Sequence, residues 1–457
     1  KHSIMEKRRS ELPPFPLHGV KLNVFLDFIE DMGGRDEFYK TVDNSKVSFL
    51  TQMKKLCLCY SRHSQVVATL PLTTTDVCNM FLKEITEEKG QSYVEYLTER
   101  NSSDVGMATV FISHAWKYNF LDVVDALQHH FTSEPDVYIW FDLFSNNQHK
   151  APNLPFEWWS DTFLNAIGKL GRVVMVLSPW NNPIPFTRAW CLWEIYCAVE
   201  TKSKFEVAIT PDQHDAFIEG ITSDSSQFYK MLANINVENS ESFNPDDKTR
   251  IFNAVKMIDG GFSALNSMVI GKMREWVLVA IDRSIEESRL KIQTQRESVD
   301  LGETVGSSLT IELSQESKDE IKKSRLVIWK RLLAKMSMMD DMGMFKKALE
   351  IGEKCLVEFA DVDEWRNLSR TYNNLGAVYK SLGEYQKAIT YYDKALQITK
   401  DKLGENHVDV AISYNNLGAV YDDLGEYQKA ITYYDKSLQI TKDQLGENHV
   451  SVATSYN

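Results

Sequence analysis

The sequence has few of the features that mark several classes of protein. Its 457 residues include six cysteines, without CxxC or disulfide-framework spacing, which favours a reducing compartment. Lys and Arg number 51 against 64 Asp and Glu, and the net charge of −13 argues against a nucleic-acid-binding surface. No apolar stretch approaches the ~20 residues that span a bilayer, and the basic N-terminus continues into PPFP where a signal peptide has an apolar segment. We therefore expect a cytoplasmic protein that binds neither nucleic acid nor membrane.

The composition is that of a globular protein with more than one domain. Apolar residues make up 43% of the chain and charged residues 25%, which is neither disordered nor fibrous. A length of 457 residues exceeds one ordinary domain, so two or three domains are expected.

Internal repeats are the strongest pattern in the sequence. Two nearly identical segments begin at Tyr372 and Tyr414, 42 residues apart, and a third copy begins at Tyr456. A degenerate copy, MDDMGMFKKALEIGEKCL, precedes them and aligns Gly343 with Gly383. Each unit has two helical periods separated by a glycine. Such a helical hairpin cannot bury its apolar face alone, so the repeats are expected to stack.

This pattern resembles the tetratricopeptide repeat, and the 42-residue period with its LGENH connector resembles the kinesin-light-chain variety. The resemblance implies an all-α solenoid over 325–457 that contacts a protein or peptide partner. A solenoid normally ends in a polar cap, so we expect the natural protein to continue beyond Asn457. The recurring pairs at 373–374 and 415–416, all Asn, either hydrogen-bond a partner or bridge adjacent repeats.

The segment 106–290 alternates short β-branched runs with helical patterns, which predicts a parallel, doubly wound sheet with helices on both faces. The preceding residues, 1–105, are expected to form a helical accessory region, and the polar segment 291–324 to form a linker. Ligands of such sheets bind beyond the carboxyl ends of the strands. Four strands are predicted, at 108–113, 137–141, 173–177 and 205–209.

The segment TRAWCLWEIYCAV combines an apolar face with an acidic residue. At 100° per residue, Leu192, Ile195 and Tyr196 share one face of a helix, whereas Trp190 and Glu194 lie on the other. Spacing alone therefore predicts that Glu194 is off the core face. The residues leave two interpretations open, a solvated glutamate beside an amphipathic Trp or a functional carboxylate.

Five motifs in order resemble a TIR domain over about 106–210: FISHAW, VYIWFD, FLNAI, VVMVLS and AWCLWEI. The resemblance implies an α/β, flavodoxin-like fold with a parallel sheet. In TIR enzymes that cleave NAD, a Trp lies four residues before the catalytic Glu, and Trp190 and Glu194 match that pair. By the same resemblance, NAD is a substrate and no cofactor or metal is implied. The implied NAD-binding residues are Ser113, His114, Trp116, Asp142 and Trp190.

Cleavage of the nicotinamide–ribose bond requires little beyond a carboxylate. It produces an oxocarbenium-like ribose and a neutral leaving group, so a residue that stabilises positive charge suffices. The leading hypothesis is an NAD-cleaving enzyme of intracellular signalling or defence, regulated by TIR self-association and by a repeat sensor. The alternative is a non-enzymatic adaptor that acts through TIR–TIR and repeat contacts. A weaker alternative is a relative that cleaves nucleosides.

Overall fold

The structure is a computed structural model and describes residues 15–39, 71–150, 156–242, 244–300 and 314–446. The chain divides into an α/β unit, Lys1–Phe217 with Ser226–Trp276, and a repeat unit, Ile218–Ser225 with Val277–Asn457. Within the described ranges, no helix has both the length and the apolar character that crossing a membrane requires.

A six-stranded, mostly parallel sheet forms the centre of the α/β unit. Its strand order is β2-β1-β4-β3-β5-β6. β3 pairs in parallel with β4 and β5, and β5 pairs in parallel with β6, whereas β1 is antiparallel to both β2 and β4. The strands are β1 (His18–Lys21), β2 (Val105–Met107), β3 (Val110–Ser113), β4 (Tyr138–Trp140), β5 (Arg172–Val176) and β6 (Lys204–Ala208).

Helices cover the sheet and precede and follow it in the chain. The early ones are α1 (Leu22–Asp31), α2 (Thr74–Val77), a π turn (Cys78–Leu82), α3 (Lys83–Thr86) and α4 (Tyr93–Glu99). Those between the parallel strands are α5 (Phe120–His130), α6 (Asp142–Ser145), α7 (Phe156–Leu170) and α8 (Ala189–Glu200). After β6 follow α9 (Pro211–Ser223), α10 (Ser226–Ala233), α11 (Pro245–Lys256) and α12 (Gly261–Asp300).

The two faces of the sheet carry different cores because successive side chains alternate along each strand. Val110 and Ile112 of β3 face a large apolar core shared with α1, the helices at 74–99 and α5. Phe111 faces the other side, where its ring stacks on that of Trp140, with centroids 4.6 Å apart. Phe163 of α7 packs edge-on against Phe111 at 5.6 Å. α7 therefore covers the face towards which Ser113, two residues after Phe111, also points.

The four predicted strands are found, but the sheet has two further strands that are antiparallel. β1 lies inside residues 1–105, which the sequence predicted to be helical, and β2 lies at the end of that region. HGVK is four residues long, too short for an alternating pattern to be recognised. Gly19 shows why the strand fits there, since a Cβ at this position would lie 2.2 Å from the carbonyl oxygen of Ile139. The close approach of β1 to β4 requires glycine.

Helices occupy both ends of the segment predicted as a linker, 291–324. α12 continues to Asp300, and α13 (Gln315–Asp341) begins soon after it, while residues 301–313 lie outside the described ranges. The second part of α12 packs within the repeat unit, where Arg331 donates hydrogen bonds to the carbonyl of Ser284 at 2.7 Å and to the hydroxyl of Ser288 at 2.6 Å. The polar composition of 291–300 therefore reflects a helix with an exposed side.

The repeat unit stacks helical hairpins, as the repeats predict. Its further helices are α14 (Phe345–Glu358), α15 (Trp365–Ser381), α16 (Tyr385–Leu403), α17 (Val408–Asp423) and α18 (Tyr427–Leu445). Gly343, Gly383 and Gly425 occupy equivalent turns with φ of 74°, 73° and 76°, a conformation that favours glycine. The degenerate copy therefore folds as a hairpin like the other two.

Small residues allow the two helices of each repeat to pack closely. A Cβ on Gly376 would lie 2.8 Å from the Tyr392 ring, and one on Gly418 would lie 2.7 Å from the Tyr434 ring. Ala388 and Ala395 of the second helix are buried as well. The repeated glycine thus sets the distance between helices in both copies.

The recurring asparagines bridge neighbouring helices. Asn374 Nδ2 donates to the carbonyl of Leu333 at 3.3 Å, and Asn416 Nδ2 donates to Asn373 Oδ1 at 2.7 Å. Of the two interpretations left open by the sequence, these contacts favour bridging for Asn373, Asn374 and Asn416. Asn415 is exposed.

Asn374→Ala and Asn416→Ala are each expected to destabilise the repeat unit by about 1 kcal/mol, because each removes one hydrogen bond between hairpins. Asn415→Ala is the matched control, an adjacent exposed Asn, and should change stability by less than about 0.5 kcal/mol. Urea unfolding followed by circular dichroism measures both. Equal stability of Asn416→Ala and Asn415→Ala would contradict the bridging role.

Cleavage between α12 and α13 is expected to leave the two fragments associated. A specific protease site placed within 301–313 allows the cut, and the fragments should co-elute in size-exclusion chromatography because Arg331 holds α12 to α13. Arg331→Ala should weaken the association by at least about tenfold, since it removes two hydrogen bonds from a charged group. If the two fragments elute separately even when Arg331 is unchanged, 291–324 is a linker instead.

Candidate functional site

The carboxyl edge of the parallel strands is where the sequence-predicted residues meet. Ser113 is the last residue of β3, and Asp142 follows β4 as the first residue of α6. In the chain, β4 follows β3 and lies on one side of it, and β5 then lies on the other side. The strand order therefore reverses beside β3. Crevices of doubly wound sheets form at such a reversal.

Glu194 of α8 reaches this edge and is buried there. Its Oε2 accepts a hydrogen bond of 2.5 Å from the hydroxyl of Ser113. Glu194 is 8% exposed and Ser113 only 1%. The prediction that Glu194 lies off the core face is therefore wrong.

The burial of α8 explains this error. Eight of its twelve residues are buried, because α7, α11 and β6 all pack against the helix. A single apolar stripe identifies the core face only when the opposite face is in water. Cys191 and Cys197 lie on sides of the helix that the stripe of Leu192 and Ile195 did not include.

Burial raises the pKa of Glu194 to about 8. Removal from water is the largest cause, since it disfavours the charged carboxylate. The negative charge of Asp142 raises this pKa further, whereas the hydrogen bond from Ser113 lowers it. The carboxyl group is thus mainly protonated at neutral pH in the free protein.

Asp142 is held by the indole of Trp116, whose Nε1 donates to Asp142 Oδ2 at 2.6 Å. The other carboxylate oxygen, Oδ1, is buried and has no hydrogen-bond partner in the structure. Trp116 is only half-buried, so one side of this pair remains accessible. Asp142 Oδ1 can therefore still accept a hydrogen bond, at the same edge of the sheet as Glu194.

Among the residues that the structure describes, neither ring nitrogen of His114 has a hydrogen-bond partner. The ring stacks on Phe141, with centroids 4.6 Å apart, and its Nδ1 lies 3.7 Å from Asp142 Oδ1. Burial lowers the pKa of His114, so the imidazole is neutral although Asp142 favours its charged form. Buried polar groups without partners are uncommon, and each calls for an explanation.

Trp190 makes different contacts from the other predicted residues. Its ring packs at 89° on Phe163, with centroids 5.5 Å apart, and its side chain hydrogen-bonds Asp247 of α11. The structure therefore brings together five of the six predicted residues and engages Trp190 with α7 and α11. The five are Ser113, His114, Trp116, Asp142 and Glu194.

Two neighbours of the site were not predicted from the sequence. The thiol of Cys191 donates to the carbonyl oxygen of His114 at 3.5 Å. Phe141 supplies the surface on which His114 stacks. Cys191 precedes Glu194 by three residues, and i, i+3 neighbours share a helix face, so helical spacing could have identified it. In the described part of the chain, no three His, Cys, Asp or Glu side chains are placed to hold a metal ion.

Glu194→Gln is expected to remove a pH dependence of stability. The folded pKa of about 8 lies above the unfolded value of about 4.3. The protonated carboxyl therefore stabilises the fold fully below about pH 4.3, and this contribution is lost as pH rises to about 8. Relative to the wild type, Glu194→Gln should gain on the order of 1 kcal/mol per pH unit across that window.

Urea unfolding between pH 5 and 9 measures this difference. Glu200→Gln is the matched control, because Glu200 is exposed on the same helix. It should follow the wild type at every pH. Parallel curves for wild type and Glu194→Gln would contradict the raised pKa.

Comparison with known proteins identifies the C-terminal part of the chain. A tetratricopeptide repeat family model matches residues 367–443 and 409–457. No curated protein matches the sequence.

Solved structures show low overall similarity. BtubC (BKLC) from P. vanneervenii is 21% identical over 39% of this chain and 63% of its own, with a TM-score of 0.29. NprR in complex with its cognate peptide NprX is 15% identical over 53% of this chain and 81% of its own, with a TM-score of 0.26. A signal transduction ATPase with a tetratricopeptide repeat sensor, from Pyrococcus horikoshii, is 11% identical over 96% of this chain and 62% of its own, with a TM-score of 0.25.

These likenesses say nothing about activity, and the chain spans less than two thirds of the length of BtubC. The family match and the stacked hairpins agree on one conclusion. The chain combines an α/β unit with C-terminal tetratricopeptide repeats.

Proposed function

We propose that the α/β unit is a TIR domain that cleaves the nicotinamide–ribose bond of NAD. The observation that carries the proposal is the buried carboxyl of Glu194 at the carboxyl edge of the sheet, hydrogen-bonded to Ser113 and close to Asp142. Four parallel strands in the order β4-β3-β5-β6 support it, since second-first-third-fourth is the order of flavodoxin-like sheets. The antiparallel β1 and β2 are additions to that pattern.

The reaction suits an acidic, partly desolvated site. The bond between C1′ of the ribose and the pyridinium nitrogen breaks, and its electron pair neutralises the departing nicotinamide. The ribose becomes an oxocarbenium ion, which water attacks to give ADP-ribose and a proton, or which a second nucleophile of the substrate attacks to give a cyclic product. The carboxylate of Glu194 stabilises the positive charge at the ribose.

The cationic nicotinamide ring of the substrate also favours the active form of the site. Positive charge near a carboxyl lowers its pKa, so bound NAD opposes the effect of burial on Glu194. Asp142 adds a second negative charge, and the indole of Trp116 keeps it oriented. In this proposal His114 hydrogen-bonds the substrate, since both of its ring nitrogens are unused in the free protein. Trp190 stabilises the position of α8 through its contacts with Phe163 and Asp247.

The repeats are proposed to bind a protein or peptide and to regulate the enzyme, in intracellular signalling or defence in the cytoplasm. The first helices of the two nearly identical repeats expose Arg370, Ile412 and Asn415. These side chains offer charge, apolar area and an amide to a partner. Self-association through the TIR domains is the other proposed means of control.

The buried carboxyl also supports the alternative, a non-enzymatic TIR adaptor. A protonated Glu194 hydrogen-bonded to Ser113 can stabilise α8 on the sheet without any chemistry. In that case a glutamine at position 194 would preserve function.

Incubation of the purified full chain with NAD distinguishes the two. Nicotinamide release, measured by chromatography, should fall by about 100-fold or more in Glu194→Gln, as expected for the loss of an electrostatic stabiliser. Glu200→Gln should retain wild-type activity. Specific activity should rise with protein concentration if assembly completes the site. A wild type that is inert at every concentration, or a fully active Glu194→Gln, would favour the adaptor.

A further inference from the structure

We propose that Ser113 is a positioning residue, whose hydroxyl fixes the orientation of the Glu194 carboxyl and stabilises its ionised form without touching the substrate. This inference rests on the proposed function and assigns Ser113 a different role from direct NAD binding, which the TIR resemblance implies. The observation behind it is that the hydroxyl of Ser113 is already committed to Glu194 in a buried contact.

The backbone holds this hydroxyl in place. Ser113 pairs with Met175 of β5, and the preceding residues of β3 pair with both β4 and β5. Ser113 is 1% exposed and Glu194 8%, and in this proposal the substrate contacts Glu194 and not Ser113. A donor fixed on a central strand loses little entropy when it orients a carboxyl. β3 therefore holds the Ser113 hydroxyl in a fixed position, and this hydroxyl orients the Glu194 side chain of α8.

The charges around Glu194 make this donor important. Asp142 repels a second negative charge, and burial removes the stabilisation that water would give. Hydrogen bonds to a charged acceptor are stronger than those to a neutral one, so Ser113 stabilises the carboxylate more than the protonated acid. Among the described residues, the titratable groups that interact with Glu194 or with its neighbours are Asp142 on α6, Cys191 and Cys197 on α8, Arg188 just before it and His114 after β3.

None of these groups replaces the hydroxyl. The nearby Cys191 is a neutral thiol, because burial raises its pKa well above the ordinary value. His114 is neutral as well. Arg188 acts on Cys191 in the first turn of the helix. Loss of the Ser113 hydroxyl is therefore expected to raise the pKa of Glu194 above about 8.

The experiment measures kcat/KM for NAD from pH 6 to 10 in wild type, Ser113→Ala and Ser113→Thr. Wild-type kcat/KM should rise with pH to a plateau, with a midpoint near the pKa of about 8 for the free enzyme. Ser113→Ala should lose about tenfold at pH 7, the effect of one hydrogen bond to a charged group, and should approach the wild type at pH 10. Ser113→Thr, which keeps the hydroxyl, should restore the wild-type midpoint.

Ser203→Ala is the matched control, a buried serine at the opposite end of the sheet that donates to the carbonyl of Ile167. It should leave the midpoint unchanged. A loss in Ser113→Ala that is equal at every pH would overturn the stabilisation of ionised Glu194 by Ser113 and leave the proposed function intact.

A second measurement is independent of activity. Because Ser113 favours ionised Glu194, the fall in unfolding free energy with rising pH should extend to higher pH in Ser113→Ala than in wild type. This shift in a protein inert towards NAD would mean that the proposed function fails while Ser113 still controls Glu194. The same pH dependence in both proteins would overturn the inference whether or not the wild type is active.

Discussion

The hydrogen bond between Ser113 and Glu194 joins the central strand of the sheet to the helix that carries the site's buried acid. α7, α11 and β6 all pack on α8, and Glu194 is 8% exposed. A buried carboxylate without a partner is costly, so the group either keeps its proton or needs an opposite charge. The elevated pKa of Glu194 and the proposed preference for a cationic nicotinamide ring have this same cause.

The repeat unit depends on a different constraint, the closeness of paired helices. Gly376 and Gly418 allow tyrosine rings of the facing helices to contact the backbone directly. In the first full repeat, the ring of Tyr379 stacks on Tyr391, and Tyr421 stacks on Tyr433 in the second, with centroids 5.3 Å apart in both. Nearly identical sequence thus gives the same packing of the paired rings in both repeats.

Much of this organisation could be predicted from the sequence because it depends on local periodicity. Runs such as VYIWF and VVMVL are buried on both faces, and their β-branched and aromatic residues identify parallel strands without tertiary information. The repeats identify themselves, since residue identities recur together with the period. The predicted strands and hairpins are accordingly present.

The remainder could not be predicted because it depends on contacts between distant segments. β1 is four residues long and is stabilised by its pairing with β2 and β4, neither of which adjoins it in sequence. The burial of Glu194 depends on α11 and α7, which helical periodicity does not take into account. The five residues named from the TIR resemblance lie together, whereas the contacts of Trp190 with Phe163 and Asp247 join segments that are distant in the sequence and could not be predicted from it.

The polar groups at the carboxyl edge of the sheet are only partly satisfied by the protein itself. Ser113, Glu194, Trp116 and one oxygen of Asp142 are hydrogen-bonded, whereas the other Asp142 oxygen and both nitrogens of His114 are not. Unsatisfied polar groups in a buried network cost stability, and natural proteins accept such costs chiefly at functional sites. His114 Nδ1 and Asp142 Oδ1 are 3.7 Å apart, too far for a hydrogen bond between them. A ligand with hydroxyl groups and a positive charge could satisfy both, which makes the incomplete network the strongest structural reason to look for a substrate here.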